Sequence, residues 1–542
     1  MGRQFAAFPM RPVLASLLAL LLSGWFHPPP ARAQELEAMP PEVDGEVDDE
    51  EGLDEADTDE AGATPAVAAP ELPEPTGVAR FLEASEVLRV RLAALTRAPP
   101  EGRPWRVAQL GDSHTEWGIF TGAFRQALAE GGVVSPGFVP PWERGVHPAK
   151  ILFSRAWKRS TWRTHVKGGV DGPSGTSALA SARGARATLE LPPGLPEGTR
   201  LTAWWDAAGG GEFSLSVNGQ GLPQLEVMQS GGALAQRAFS LPAGTRQVVL
   251  EVTEASAARP FRFCGFTVDR PDARLQFDGL GLGGSVHLHP LHQQRGGLET
   301  FLAQREPDLV VIWYGTNSAP ERGLSPAAFE KQYDRLVQLV KGAAPGAAVL
   351  ALGLPDLAMR SRACAPSKKP PKGQGTGKSA GPRRRGAPGP SPWHAGAQSH
   401  LASGRKPTAA QLRQQALLRR QRSRPKRRRT PRRRLPPVVC SPTPGAAPVS
   451  PALGDACFPS TLPTVGLLRD AERAVARSQG AAFFDLYAYM GGEGGMVRWY
   501  CQRPSLALSD FIHLSAAGYR HAAEVLVEAL RTSAPPPSAR TE

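Results

Sequence analysis

The chain has 542 residues, 41% of them hydrophobic, and a formal net charge of +13. Such a length holds two or three domains, and the apolar share is ordinary for a globular protein, which excludes a wholly disordered or membrane-embedded chain. The charge suggests nucleic acid until it is located: residues 35–60 carry 14 acidic and no basic side chains, residues 361–440 carry 22 Lys plus Arg and no acidic ones, and the rest of the chain holds only +5. The excess therefore sits in two tracts rather than on a folded surface, and nucleic acid is not an expected partner.

In chain order, residues 1–33 read as a secretory signal peptide. Arg3 and Arg11 form the positive start, 13–22 the short apolar core, and Ala31-Arg32-Ala33 the cleavage site. That core is too short to span a bilayer, so the mature protein is expected to be periplasmic or secreted. Residues 34–75 are acidic, rich in Pro and Ala and poor in aromatics, the composition of a disordered tether. A leading amphipathic helix is expected over 78–95. The apolar run Val107-Ala108-Gln109-Leu110 then predicts a buried strand. It ends in Gly111-Asp112-Ser113, so Ser113 falls at a strand-to-helix turn ahead of a helix over 119–130.

From about Trp142 the pattern changes. Alternating runs at 187–191, 200–205, 212–217, 236–241, 247–252 and 261–268 are separated by Pro-Pro-Gly, Asn-Gly and Pro-Ala-Gly turns, which predicts an all-β sandwich over 143–272. Trp157, Trp162, Trp204 and Trp205 suit either its core or carbohydrate stacking. Of the neighbours Trp204 and Trp205, one faces the core and the other is left free. The glycine cluster Leu280-Gly281-Leu282-Gly283-Gly284 follows. The βα pattern then resumes with strands at 308–314, 347–354 and 481–487 and helices at 326–341 and 462–478. His287, His289 and His292 have a spacing that metal sites use, but no carboxylate or Cys accompanies them; they are read as cleft lining, with no metal and no cofactor expected.

Residues 361–455 form a Pro-, Gly- and Arg-rich insertion expected to be disordered, with only 409–422 able to form a transient helix. Its leading reading is a tolerated solvated insertion, and it also suits electrostatic contact with anionic wall polymers or a membrane surface, or pairing with the chain's own acidic tract. Cys264 lies in an apolar strand and is expected to be a buried thiol. A bridge from Cys457 to Cys364 or Cys440 would pin the base of the insertion, although connectivity cannot be read from sequence. Ser509-Asp510-Phe511-Ile512-His513 then places an Asp and a His three residues apart, just before an apolar helix over 516–530 and a short tail from 533.

These segments supply the parts of a serine hydrolase. A serine hydroxyl needs a base to take its proton, and the base needs a partner that fixes its tautomer. Ser113, His513 and Asp510 fit those roles. The tetrahedral intermediate also needs donors aimed at its oxyanion, for which the backbone N–H groups of Ser113 and Gly284 and the amide of Asn317 are suited.

The same residues resemble the SGNH, or GDSL-like, hydrolase superfamily. Gly111-Asp112-Ser113-His114 matches its first block, Gly283-Gly284 the second, Gly315-Thr316-Asn317 the third, and Asp510-Phe511-Ile512-His513 the fifth. The resemblance implies a flavodoxin-like three-layer α/β/α domain assembled from 76–142, 273–360 and 456–532. It also implies Ser113, Asp510 and His513 as the triad, with Gly284 and Asn317 in the oxyanion hole. Gly281 and Gly283 stay open as donors, since the family often has Asn-Gly in the second block. The inserted sandwich and the segment from Tyr489 to Trp499 resemble the branch of bacterial peptidoglycan O-acetylesterases, whose sandwich is similar to a carbohydrate-binding module. That implies an acetylated polysaccharide, peptidoglycan above all, as substrate. A broader lipid esterase, lysophospholipase or thioesterase is the alternative, and a non-catalytic wall-binding protein a more distant one.

Overall fold

The computed structural model describes residues 77–142, 145–161, 172–222, 224–228, 234–292, 296–321, 323–360, 438, 440 and 458–533. The signal peptide, the acidic tract, the basic tract apart from residues 438 and 440, and Trp162 lie outside them. Five strands form the parallel core of a sheet: β1 (Trp105–Gly111), β2 (Leu275–Gly281), β3 (Leu309–Trp313), β4 (Ala348–Leu352) and β5 (Ala482–Phe484). They lie in the order β2-β1-β3-β4-β5, the flavodoxin-like arrangement. Val134–Ser135 extends the sheet in parallel beyond β2, and Leu82–Glu83 closes the other edge antiparallel to β5.

Strands buried on both faces read as continuous apolar runs because successive side chains enter different cores. Leu309, Val311 and Trp313 of β3 point to one face, where Phe120, Phe124 and Leu128 and the C-terminal helix Ala516–Thr532 pack. Val310 and Ile312 point to the other, beneath the helices Gly297–Arg305, Pro326–Ala343 and Pro463–Ser478. This is a three-layer α/β/α domain.

The all-β insert consists of two antiparallel sheets around a shared core that includes Leu189, Leu201, Phe213, Leu250 and Phe261. Gly137–Val139 already pairs with its strand Phe261–Asp269, so the sandwich draws on chain ahead of residue 143. Phe261–Asp269 is buried throughout, and Cys264 is a buried free thiol within it. Trp204 is buried against Phe301 of the α/β domain. Trp205 on the opposite face does not stand free, because it packs on Phe213 with the Arg237 guanidinium over its ring. Trp157 lies in the sandwich core. Where the sandwich returns to β2, Arg305 reaches both Asp269 (2.7 Å) and Asp278 (2.8 Å), three nearly buried charges that join the two parts.

The leading helix differs from its expected form. Residues Val78–Phe81 make a 3-10 turn and Leu82–Glu83 a strand, and only Glu86–Ala94 is α-helical, capped by Ser85 accepting from Leu88 N–H. The free sheet edge beside β5 recruits the middle of the segment, which its periodicity alone does not foretell. The bridge at the insertion also differs: Cys440 pairs with Cys501, with Cα atoms 5.3 Å apart, rather than with Cys457.

Candidate active site

β1 ends at Gly111, where a Cβ would lie 2.8 Å from the Trp313 carbonyl oxygen and closer still to Thr115 Oγ1, so the turn closes only around glycine. Asp112 caps the short helix Ser113–Glu116 by accepting from His114 N–H at 3.0 Å. A buried chain of polar groups holds this turn. Gln109 Nε2 donates to Thr115 Oγ1 (3.0 Å), and Thr121 Oγ1 donates to Gln109 Oε1 (3.2 Å). The turn lies at the edge between β1 and β3, where the strand order reverses and open α/β sheets bind ligands.

Ser113 and His513, 400 residues apart in sequence, meet here. Ser113 Oγ is 3.0 Å from His513 Nε2, and His513 Nδ1 is 2.7 Å from Asp510 Oδ2. The other carboxylate oxygen of Asp510 accepts from the N–H groups of Ile512 (2.9 Å) and His513 (3.0 Å), which curls the loop so that one side chain holds both backbone and ring. The turn forces Phe511 to φ 59°, a left-handed conformation uncommon for a bulky residue. Burial pushes the Asp510 carboxyl up, but its bond to His513, the charge of that ring and the two N–H groups outweigh this and hold it below the usual range. It stays an anion, as an orienting group must.

The two remaining blocks arrive alongside. Asn317 Nδ2 donates to the Ser285 carbonyl at 2.9 Å and lies 3.4 Å from Asp112 Oδ2. Gly283 N–H donates to Glu116 Oε2 at 2.8 Å, while Gly281 lies within β2. Gly284 has φ 71°, and its N–H meets no acceptor among the described residues. Burial pushes the Asp112 carboxyl up to about 7, against the pull of His114 N–H and the nearby His513. Beneath the third block Glu472 is fully buried. It accepts from Leu354 N–H at 3.1 Å and would clash with a Cβ on Gly315, and burial pushes its carboxyl well above the usual range.

Of the three histidines after the glycine cluster, His287 is a buried bridge between Ser318 (3.0 Å) and Gln332 (2.8 Å), and His289 Nδ1 accepts from Val286 N–H. His287 is held at about 4 by burial, and His292 below its ordinary range. Among the described residues no group of three or more His, Cys, Asp or Glu is placed to hold a metal.

Several residues around the site had no role assigned from the sequence: Trp117 and Tyr519 lie in no motif, and His114 was read only as part of the first block. Trp117 stacks on His513, His114 packs between His513 and Trp313, and Tyr519 bonds to His114 Nδ1 at 2.8 Å. The only signal for Trp117 was its position four residues after Ser113, which puts both on one face of a helical turn.

The fold is a three-layer α/β/α domain carrying an inserted β-sandwich, with Ser113, His513 and Asp510 brought together at one sheet edge. No known family profile and no curated protein matches the chain. Solved structures do. A peptidoglycan O-acetylesterase is similar over 83% of this chain and 98% of its own, at 19% identity and a TM-score of 0.53. The Bacillus subtilis protein YxiM aligns over 70% and 90%, at 12% identity and a TM-score of 0.26. A family two carbohydrate esterase from Clostridium thermocellum, bound to cellohexaose, aligns over 38% and 78%, at 14% identity and a TM-score of 0.15. The first of these shares the fold over most of both chains. Among the described residues, no helix is long and apolar enough to cross a membrane.

Proposed function

We propose that this protein is a serine esterase that removes O-acetyl groups from a polysaccharide, with peptidoglycan as the favoured substrate, outside the cytoplasm. The observation that carries the reading is the continuous relay from Ser113 Oγ through His513 to Asp510, with spacings of 3.0 and 2.7 Å. Ser113 Oγ attacks the acetyl carbonyl carbon as its proton passes to His513 Nε2. The N–H groups of Ser113 and Gly284, with the amide of Asn317, receive the developing oxyanion. The intermediate collapses to acetyl-Ser113 as the imidazolium returns the proton to the departing sugar oxygen. Water then attacks with His513 as base, releasing acetate and restoring the hydroxyl.

The likeness to a peptidoglycan O-acetylesterase over both parts of the molecule supports the choice of a glycan ester. The basic tract 361–455 adds electrostatic contact with anionic wall polymers or a membrane surface. The test is release of acetate from O-acetylated peptidoglycan by the purified chain, beside p-nitrophenyl acetate and longer-chain esters, with Ser113→Ala as control. Acetate release that needs Ser113 supports the reading. A clear preference for long acyl chains overturns the substrate, and equal rates in the Ser113→Ala protein overturn the mechanism.

A further inference from the structure

The four-residue helix that presents the nucleophile also surrounds the base. Trp117 lies over the His513 imidazole with ring centroids 4.2 Å apart and planes 31° from parallel. On another side His114, 1% exposed, has its ring 5.2 Å from that of His513 and stacks on Trp313 at 4.9 Å. Tyr519, fully buried, fixes His114 through the 2.8 Å bond to Nδ1, and the Leu514 backbone N–H faces its hydroxyl. Leu514 directly follows the base, so this packing reaches both the ring and the backbone of the Asp510–His513 loop.

Each wall has a different electrostatic character. Besides Asp510 and Ser113, the titratable groups facing His513 are His114, Tyr519 and the buried Asp112. Burial holds His114 well below its ordinary range, so it stays neutral and adds no second positive charge beside the base. Trp117 presents the negative face of an indole, the strongest of the aromatic rings toward a cation.

From this geometry we infer that Trp117 is a positioning residue for the base: it holds the His513 imidazole between Ser113 and Asp510, and its π face stabilises the imidazolium as the serine proton arrives. The inference rests on the esterase reading for its kinetic consequence but not for its structural one. Because the imidazolium exists only along the reaction path, loss of the π face acts on kcat rather than on KM.

The experiment uses the full chain with Trp117→Phe and Trp117→Leu, assayed on p-nitrophenyl acetate. It is accompanied by proton NMR of the His513 Nδ1–H bonded to Asp510, recorded in a Ser113→Ala background. Trp117→Leu is expected to lower kcat roughly tenfold with KM nearly unchanged, and to broaden the Nδ1–H signal through faster exchange with water. Trp117→Phe is expected to recover most of both. A series of fluorinated tryptophans placed at 117 keeps the shape of the ring, so it serves even where leucine does not fold, and kcat is expected to fall stepwise with fluorine number. A raised KM at constant kcat makes Trp117 a substrate contact and overturns the inference. A flat fluorine series overturns the π contribution, and an unchanged NMR signal in a folded Trp117→Leu protein overturns the positioning role. If no variant, the parent included, turns over ester, it is the esterase reading that fails, and the NMR signal still decides the arrangement.

Discussion

Glu116 and Gly283 are joined across the mouth of the site: the Gly283 N–H donates to the Glu116 carboxylate at 2.8 Å, and a Cβ on Gly283 would collide with the same oxygen. Three residues after the nucleophile, the chain thus fixes the loop that carries Gly284. Glu116→Ala is expected to lower kcat roughly tenfold, the scale of one hydrogen bond to a charged group, while Glu116→Gln, which keeps an acceptor oxygen, stays near the parent. Equal kcat for the alanine and parent proteins would show that the glycine loop needs no such anchor.

Ser113→Ala and His513→Ala are each expected to leave less than about one hundredth of the parent kcat on p-nitrophenyl acetate, since nucleophile and base act as a unit. Circular dichroism is expected to be unchanged in both. A folded variant above that level removes its residue from the chemistry.

Asn317→Ala is expected to lower kcat by roughly a hundredfold or more, as for loss of one oxyanion donor elsewhere, with little change in KM. A rise in KM alone assigns Asn317 to ground-state binding.

Two buried groups give the fold opposing responses to pH. His287, held at about 4, favours the folded state while neutral. Its contribution is full above pH 6.5 and is lost as pH falls toward 4. Asp112, pushed up to about 7, favours the folded state while protonated. Its contribution is full below the ordinary carboxylate range and is lost as pH rises through 7. Urea midpoints measured between pH 4 and 8 are expected to lose their acid-side decline in His287→Gln and their neutral-side decline in Asp112→Asn. Parallel curves for parent and variant would show that the group does not titrate with folding.

Arg305→Ala is expected to destabilise the fold by roughly 3–5 kcal/mol, because it strands Asp269 and Asp278 as buried anions without a counter-charge. Urea unfolding measures this, and a loss under about 1 kcal/mol would mean that water reaches the carboxylates.

Four of the five parallel strands and the insert were legible because their side chains obey simple periods: Leu309–Trp313 is apolar at every position, and Glu212–Val217 alternates. Leu275–Gly281, with Gln276, Asp278 and two glycines, shows neither period and was not expected as a strand. Ser113, Asp510 and His513 were legible as a set of motifs, and the structure brings them within hydrogen-bond distance of one another. What sequence could not supply was competition for partners. The Gly283 N–H is spoken for, Trp205 is occupied by Phe213 and Arg237, and Cys440 bonds to Cys501, each decided by what tertiary packing brings close. The split of the leading segment into turn, strand and helix has the same origin, since an open sheet edge is a property of the fold and not of residues 78–95.

The separation of Ser113 and His513 by 400 residues bears on when the protein becomes active. The helix Ala516–Thr532, which follows the Asp510–His513 loop, packs on the helix Ile119–Ala129 that follows Ser113, so two segments far apart in sequence close against each other. A chain clipped ahead of residue 505 holds Ser113 without His513. If the proposed esterase reading holds, turnover depends on this long-range closure, and in refolding its return should trail the return of secondary structure.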